Sequence, residues 1–231
     1  MGLILNIESA TTMCSVALGR DGECIDVLEV DDGYTHAENL ASYCAQIIEK
    51  NGIKPQALDA ISVSKGPGSY TGLRIGISLA KGLAYSLNKP LIGISTLQAM
   101  CFHPSVRKEL DYLKDAHMNP MLDARRMEVF TATYDFGLKE LLPPRALILD
   151  TTSFSDLLAA DPVIFFGNGS SKFKDIVNVG SAYFVDEVHP SASFMCMLSE
   201  IAYGNQDFED VAYFHPEYLK EVYTTTPKPK L

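Results

Sequence analysis

The sequence lacks several patterns that mark common kinds of site. It contains no tryptophan, and its five cysteines are widely spaced without a C-x-x-C pair. No two of its five histidines stand three or four residues apart, so the spacing that puts two metal ligands on one helix face is missing. These absences argue against a disulfide framework and a zinc site. We therefore expect reduced cysteines and predict no metal.

Long apolar runs and excess basic charge are also scarce. No window approaches 18 apolar residues, and no basic segment precedes the short apolar run at the N-terminus. We therefore expect a cytoplasmic protein with no membrane span. Nineteen basic residues against 29 acidic ones give a net charge of −10. Because proteins that grip nucleic acid directly usually present a basic face, we expect any contact with RNA to be indirect.

Apolar periodicity predicts two halves that share one order of elements, three strands followed by alternating helices and strands. In the first half the strands fall over residues 3–7, 14–18, 24–30, 60–64 and 91–94, and the helices over 36–50 and 73–87. In the second half the strands fall over 120–123, 127–134, 146–150, 163–166 and 183–185. Its helices are one capped by Thr151 or Thr152 and running through Leu158, a short one, and one over 191–203.

Two anchors make a duplication the better interpretation. An acid, Glu8 or Asp123, ends the first strand of each half, and the loop 66–69 (Gly-Pro-Gly-Ser) is echoed by 167–170 (Gly-Asn-Gly-Ser). Two such halves predict an α/β protein of the actin-like, sugar-kinase-like (ASKHA) fold, each half an RNase H-like domain. We place the domains at residues 1–103 and 104–231, joined near 101–119, and expect a disordered tail over 224–231.

The chemistry of the two strand-end acids stays open at this point. Active members of the fold use such acids to hold a metal–nucleotide complex or to take a proton. A carboxylate at a strand end can instead accept hydrogen bonds from nearby backbone N–H groups. We assign no catalytic residue.

The loop after residue 64 and the helix that follows are unusually rich in glycine. Gly72, Gly76 and Gly82 each cost about 1 kcal/mol relative to alanine inside a helix. Gly72, Gly76 and Ala80 recur every four residues and form one smooth face. That face packs either against this chain's own sheet or against a partner protein, and we favour the partner. The glycine-rich loop fits neither the P-loop nor the dinucleotide template, although its turn could meet a phosphate.

The order of residues in the glycine-rich loop and the start of the helix is specific enough to indicate a family. Gly-Pro-Gly-Ser-Tyr-Thr-Gly-Leu-Arg-Ile-Gly over residues 66–76 resembles the signature of the TsaB (YeaZ) family. Residues 5–11, 14–18, 80–84, 93–97, 123–129 and 216–219 are similar to further family segments. Two positions depart from the pattern: the family usually has Asp where Glu8 stands and Gly where Met127 stands.

The resemblance implies a scaffold subunit without chemistry of its own. TsaB proteins are the non-catalytic partners of TsaD, the enzyme that makes threonylcarbamoyladenosine on transfer RNA. The implied partners are a TsaD-like protein, a TsaE-like ATPase and, when the chain is alone, a second copy of itself. Transfer RNA would be contacted only indirectly, and ATP or ADP could sit at the complex interface. The alternative is an autonomous ATP-dependent small-molecule kinase of the same fold.

Two sets of residues follow from this interpretation. The predicted partner interface comprises His36, Leu40, Cys44, Ile47, Gly72, Arg74, Gly76, Ala80 and Leu83. The predicted nucleotide or phosphate contacts are Glu8, Thr11, Gly66, Gly68 and Ser69.

Overall fold

The structure, a computed structural model, describes residues 1–31 and 36–220, and only the backbone of residues 36–38. Within these residues the strands are β1 Leu3–Glu8, β2 Met13–Arg20, β3 Glu23–Asp31, β4 Ala60–Gly66, β5 Leu91–Ser95, β6 His117–Asp123, β7 Glu128–Tyr134, β8 Glu140–Ile148, β9 Val163–Phe166 and β10 Ala182–Val185. The helices are α1 His36–Lys50, α2 Tyr70–Leu87, α3 Thr96–Met100, α4 Pro104–Tyr112, α5 Ser155–Ala160, α6 Ser170–Lys174 and α7 Cys196–Asn205. Short 3₁₀ turns cover Pro55–Ala57 and Ala192–Met195.

The strands form two sheets of the same topology. The first has the order β3-β2-β1-β4-β5, and the second, β10-β9-β6-β7-β8, is that order read from its other end. In each, the first three strands are an antiparallel meander and the last two run parallel to the first. The prediction of two RNase H-like halves in an α/β, actin-like arrangement is confirmed.

Some helices pack on the sheet that is formed by the other half of the chain. On one face of the first sheet, α1 and α2 bury the apolar side of β1, β2 and β4. The opposite face is covered by α7, although α7 follows the second sheet in sequence. Conversely, α3 and α4, which precede the second sheet in sequence, pack on that sheet. The domain boundary at residue 103 therefore stays a prediction, since helices from both sides of it pack across it.

Most predicted elements are present, but the start of β8 and the start of α5 differ from the prediction. β8 begins six residues before the predicted strand and includes Pro143 and Pro144, which an edge strand tolerates because one side of it is unpaired. The predicted threonine cap is wrong, because Thr152 donates to Asp150 Oδ1 at 2.8 Å and α5 starts only at Ser155. The predicted tail over 224–231 lies outside the described residues.

Candidate functional site

A cleft of about 1330 Å³ lies where the two sheets meet. Because β1, β4, β6 and β9 run parallel within their sheets, their carboxyl ends deliver loops to such a cleft. The first half contributes the β1–β2 turn and the loop before α2, and the second half contributes the β6–β7 turn and Asn168. Residues 217–220, near the end of the described chain, complete the lining.

The glycine-rich loop is shaped by the turn that it packs against. A Cβ on Gly68 would overlap the carbonyl oxygen of Ala10, and one on Gly72 would overlap that of Ser9. The N–H of Ser69 donates to Ala10 O at 2.6 Å, and the Ser69 hydroxyl caps α2 by accepting from Gly72 N at 3.3 Å. These glycines therefore permit close approach of this chain's own backbone, a role that requires no phosphate.

The echo loop in the second half is built in the same way. Gly167 has a φ of 97°, and a Cβ there would overlap the carbonyl oxygen of Met121 in β6. Gly169 N donates to Met121 O at 3.0 Å. Asn168 Oδ1 accepts from Asp123 N at 2.9 Å and so fixes the end of β6. The two loops are equivalent supports for the first strand of each sheet.

Glu8 is enclosed behind the cleft wall and does not line it. Its side chain is fully buried, and Oε1 accepts from Ala10 N at 2.6 Å. Burial raises the pKa of Glu8 to about 7, against the opposing effect of the Ala10 hydrogen bond. Oε2 has no hydrogen-bond partner among the described residues. A carboxyl in this setting supports the β1–β2 turn and is poorly placed to hold a metal–nucleotide complex.

Asp123, the matching acid of the second half, does face the cleft. Its Oδ1 lies 2.9 Å from Lys172 Nζ and accepts from Arg125 N at 2.6 Å. Lys172 also donates to Glu128 O at 3.0 Å. The lysine that pairs with Asp123 comes from α6, and spacing along the chain could not identify it.

The β6–β7 turn brings two arginines to the cleft. Arg125 and Arg126 are exposed and have φ values of 73° and 50°, both in the left-handed region. Adjacent left-handed residues without glycine are uncommon. Met127, where the family usually has glycine, follows them and is 40% exposed.

The segment over residues 214–220, which we call the strap, crosses the cleft from the first half to the second. Glu217 N donates to Lys65 O at 2.8 Å, and the Glu217 carboxylate pairs with Lys65 Nζ at 2.9 Å. The Tyr218 ring packs 4.9 Å from that of Tyr70. At its far end, Lys220 pairs with Glu128 of β7. The sequence marked residues 216–219 only as a family segment and did not predict this contact.

The predicted nucleotide contacts divide between cleft and core. Thr11, Gly68 and Ser69 line the cleft. Glu8 is buried, and Gly66 lies under the strap, where a Cβ would come within 2.9 Å of Glu217 O. Nucleotide binding stays a prediction for the first three residues, whereas the geometry of Glu8 and Gly66 argues against direct contact.

The preference for a partner on the small-residue face of α2 is wrong for Gly76 and Ala80. A Cβ on Gly76 would overlap the Ser9 hydroxyl, and Ala80 is fully buried in the core under α2. Gly72 faces the same turn as Gly76. The alternative of internal packing therefore explains this face.

The other predicted interface residues lie in different settings. Leu40, Cys44 and Ile47 are buried between α1 and the sheet, so they too face this chain's own core. Leu83 packs partly against that core. Arg74 is exposed and donates from Nε to the Tyr218 hydroxyl at 3.0 Å. The side chain of His36 lies outside the described part of the structure.

The outward face of α1 and α2 is a different set of residues, which we call the two-helix surface. α1 and α2 contact each other on one side of the first sheet. We define this surface by six of the exposed residues of the two helices: Ala41, Ser42, Ala45, Ser78, Gly82 and Tyr85. Tyr85 is 82% exposed, and a Cβ built on Gly82 meets nothing within 4 Å in the described structure. The predicted interface residues of these helices mostly face inward, and the residues of the two-helix surface were not among them.

The described residues contain neither a metal-binding cluster nor a membrane-spanning helix. No group of three or more histidine, cysteine or carboxylate side chains there is arranged to hold a metal ion. None of the helices there has both the length and the apolar character needed to cross a membrane.

Comparison with known proteins identifies relatives along the chain. Residues 33–229 match the TsaD family model, described as tRNA N6-adenosine threonylcarbamoyltransferase. A Bacillus subtilis protein named tRNA threonylcarbamoyladenosine biosynthesis protein TsaB is 30% identical, covering 94% of this chain and 93% of its own length. A Pelagibacter ubique tRNA N6-adenosine threonylcarbamoyltransferase is 36% identical over 78 residues, 34% of this chain and 22% of that protein.

A solved structure has the same fold. The Pseudomonas aeruginosa protein described as similar to peptidase YEAZ superposes with a TM-score of 0.81 at 23% identity, covering 95% of this chain and 100% of that one. The likeness covers both sheets, and the relative from Bacillus subtilis matches over nearly the same length. This chain belongs to the TsaB (YeaZ) family of tRNA threonylcarbamoyladenosine biosynthesis proteins.

Proposed function

We propose that this chain is a non-catalytic subunit of tRNA threonylcarbamoyladenosine formation that binds a TsaD-type transferase through the two-helix surface. The TsaB relatives are named for that biosynthesis, which supports the pathway. The match of residues 33–229 to the TsaD family supports the partner, because two subunits of similar fold can pair matching helices around a pseudo-two-fold axis.

The observation that carries the proposal is Gly82. An exposed glycine inside an 18-residue helix costs about 1 kcal/mol relative to alanine. Gly72 and Gly76 are explained by the close approach of Ser9, whereas Gly82 has open space around it in the described structure. A partner backbone that approaches Gly82 would account for the missing side chain.

The state of the two acids supports a subunit without its own chemistry. Glu8 is enclosed, and Asp123 is paired with Lys172 and bound to the backbone of its own turn. Both carboxylates thus have structural partners. A nucleotide at the complex interface, a TsaE-like ATPase and a second copy of this chain remain predicted partners of the assembly.

The test is the substitution Gly82→Leu, assayed for binding to the TsaD-type transferase of the same organism. We expect affinity to fall by roughly tenfold or more, about 1.4 kcal/mol, because the added side chain fills the approach path. The thermal midpoint should rise slightly or stay unchanged, since leucine is a better helix former than glycine. Calorimetric titration and thermal unfolding give the two readouts.

Gly204→Leu is the matched control. Gly204 is also an exposed helical glycine with nothing within 4 Å of its Cβ position, but it lies in α7 on the opposite side of the first sheet. It should leave transferase binding intact. Full affinity in Gly82→Leu would remove this surface from the proposal.

ATP turnover by the chain alone that Asp123→Asn abolishes would favour the kinase alternative.

A further inference from the structure

Two of the five cysteines, Cys24 and Cys196, lie on one face of the first sheet, and no step of the proposed function uses them. Cys24 is exposed near the start of the edge strand β3, and Cys196 is buried at the start of α7. From these positions we infer that the two thiols form a redox-modification site, which a hydroperoxide converts to an intramolecular disulfide joining β3 to α7.

A β-bulge puts Cys24 on the correct face. Leu18 pairs with Asp26, but the next residue, Gly19, pairs with Cys24, so Ile25 is the extra residue. Asp26 points toward α1, where it pairs with Lys50 at 2.8 Å. Regular alternation would put Cys24 on that same side. The bulge instead turns Cys24 to the opposite face, on which α7 packs.

The missing side chain of Gly19 leaves a position unfilled between Cys24, its cross-strand neighbour, and Cys196. A Cβ built on Gly19 would lie 3.1 Å from Cys196 Sγ and 3.2 Å from Cys196 Cβ. The Cβ positions of directly opposed cross-strand residues such as Gly19 and Cys24 are about 5 Å apart. Cys24 and Cys196 therefore border the same unfilled position at Gly19, and a disulfide between them would close across it.

The local chemistry assigns the order of the steps. The hydrogen bond from the Cys196 thiol lowers the pKa of Cys24, whose exposed position admits a small oxidant. Asn6 Nδ2 donates toward Cys196 Sγ at 3.6 Å and holds that sulfur in place. Cys24 is thus the sulfur that attacks the peroxide, and Cys196 is the sulfur that then attacks the oxidised Cys24.

The reaction balances with one hydroperoxide. The Cys24 thiolate attacks the peroxide, an S–O bond forms as the O–O bond breaks, and an alcohol or water leaves after taking up the thiol proton. Cys196 sulfur then attacks Cys24 sulfur, so that an S–S bond forms and the S–O bond breaks. The departing hydroxide takes the Cys196 proton as water. Two electrons pass from the thiols to the peroxide.

The experiment treats the purified full chain with one equivalent of hydrogen peroxide. We expect intact mass to fall by two hydrogens, and a non-reducing digest to yield one linked peptide pair containing Cys24 and Cys196. The crosslink closes a long loop, so the thermal midpoint should rise by roughly 5–10 °C and return after reduction. The buried Cys14, Cys44 and Cys101 should remain alkylatable after unfolding and serve as internal controls.

Cys24→Ser, at an exposed position, is the matched variant and should show neither the mass loss nor the rise in midpoint. Peptide mapping of the unmutated chain does not depend on any variant folding. A Cys24 sulfenic or sulfinic acid with Cys196 still reduced would overturn the inference. A disulfide joining Cys24 of two chains would also overturn it.

Discussion

At the scale of single residues, Glu8 is a carboxyl buried in the first half. It is fully buried, and burial raises its pKa from 4.5 to about 7. The folded state therefore binds its proton more tightly than the unfolded state does. Linkage then requires stability to be greatest below the unfolded pKa and to fall as pH rises through about 7.

Glu8→Gln should remove this pH dependence. Glutamine keeps an oxygen that can accept from Ala10 N but carries no charge at any pH. Between pH 5 and pH 8, the free energy of unfolding of the unmutated chain should fall by up to about 3 kcal/mol relative to the variant. Urea unfolding at a series of pH values measures the difference.

The control for Glu8→Gln is Glu49→Gln, which removes a carboxylate from the exposed side of α1. Its unfolding curve should follow that of the unmutated chain across the same pH range. Parallel curves for Glu8→Gln and the unmutated chain would show that Glu8 is not the source of the effect.

The glycines of α2 show what sequence reasoning can reach at this scale. The residue type alone shows that these glycines destabilise the helix. That cost correctly indicated that another segment of backbone packs closely against α2. The identity of that backbone depends on the β1–β2 turn, 60 or more positions earlier in the chain. Gly76 therefore meets Ser9, whereas Gly82 on the other side of the helix meets open space. Spacing alone could not separate these two glycines.

At the scale of elements, the strap couples the two halves through a few side chains. Tyr218 packs against Tyr70 and accepts a hydrogen bond from Arg74, whose guanidinium lies 4.0 Å from the Tyr70 ring centroid. Lys81 anchors the preceding residues by donating to Ala212 O and Phe214 O, both at 3.0 Å. Since these contacts are largely at the surface, the strap should open locally before the sheets unfold.

Tyr218→Ala should loosen the strap without unfolding the protein. The variant loses an aromatic contact and a hydrogen bond, together about 1–2 kcal/mol. The amide of Glu217, which donates to Lys65 O, should then exchange its hydrogen roughly tenfold faster. Hydrogen exchange read by NMR or by mass spectrometry measures that rate.

Tyr213→Ala is the matched control for Tyr218→Ala, because Tyr213 lies five residues earlier and is 81% exposed. It should leave exchange at Glu217 unchanged. Equal acceleration in both variants would mean that the Tyr218 contacts do not hold the strap.

Elements with regular periodicity were predictable, and elements shaped by distant partners were not. The bounds of α1 and β9 coincide with the prediction, since each is a continuous periodic segment. The bulge at Ile25, the prolines of β8 and the path of the strap depend on pairing with other strands. No local pattern encodes those pairings, so the contacts of the candidate site that use them could not be predicted.

At the scale of the whole molecule, the duplicated topology was predictable because it repeats two local anchors. Glu8 and Asp123 do end equivalent strands, and each is followed by a turn supported by a glycine loop. Their chemical settings nevertheless differ, since one acid is enclosed and the other is 42% exposed and ion-paired. Symmetry of the backbone thus predicted the fold without predicting the chemistry of the cleft.

The net charge of −10 predicts that the isolated chain binds transfer RNA weakly. Arg125 and Arg126 offer exposed positive charge in the cleft, but Asp123, Glu128 and Glu217 line the same cleft. Few phosphates can therefore be neutralised at once. We expect the chain alone to bind transfer RNA with a dissociation constant weaker than about 10⁻⁵ M at physiological salt, with a shallow dependence on salt.

Fluorescence anisotropy with labelled transfer RNA over a range of salt concentrations measures both quantities. The double variant with Arg125→Ala and Arg126→Ala should lower the residual binding by no more than a few-fold, since it removes only two candidate phosphate contacts. If log affinity instead falls with log salt at a slope near −5 or steeper, about six phosphates are being contacted, and this chain carries a basic face of its own. A shallow slope in the isolated chain and a steep one in its complex with the transferase would place the RNA contact on the partner.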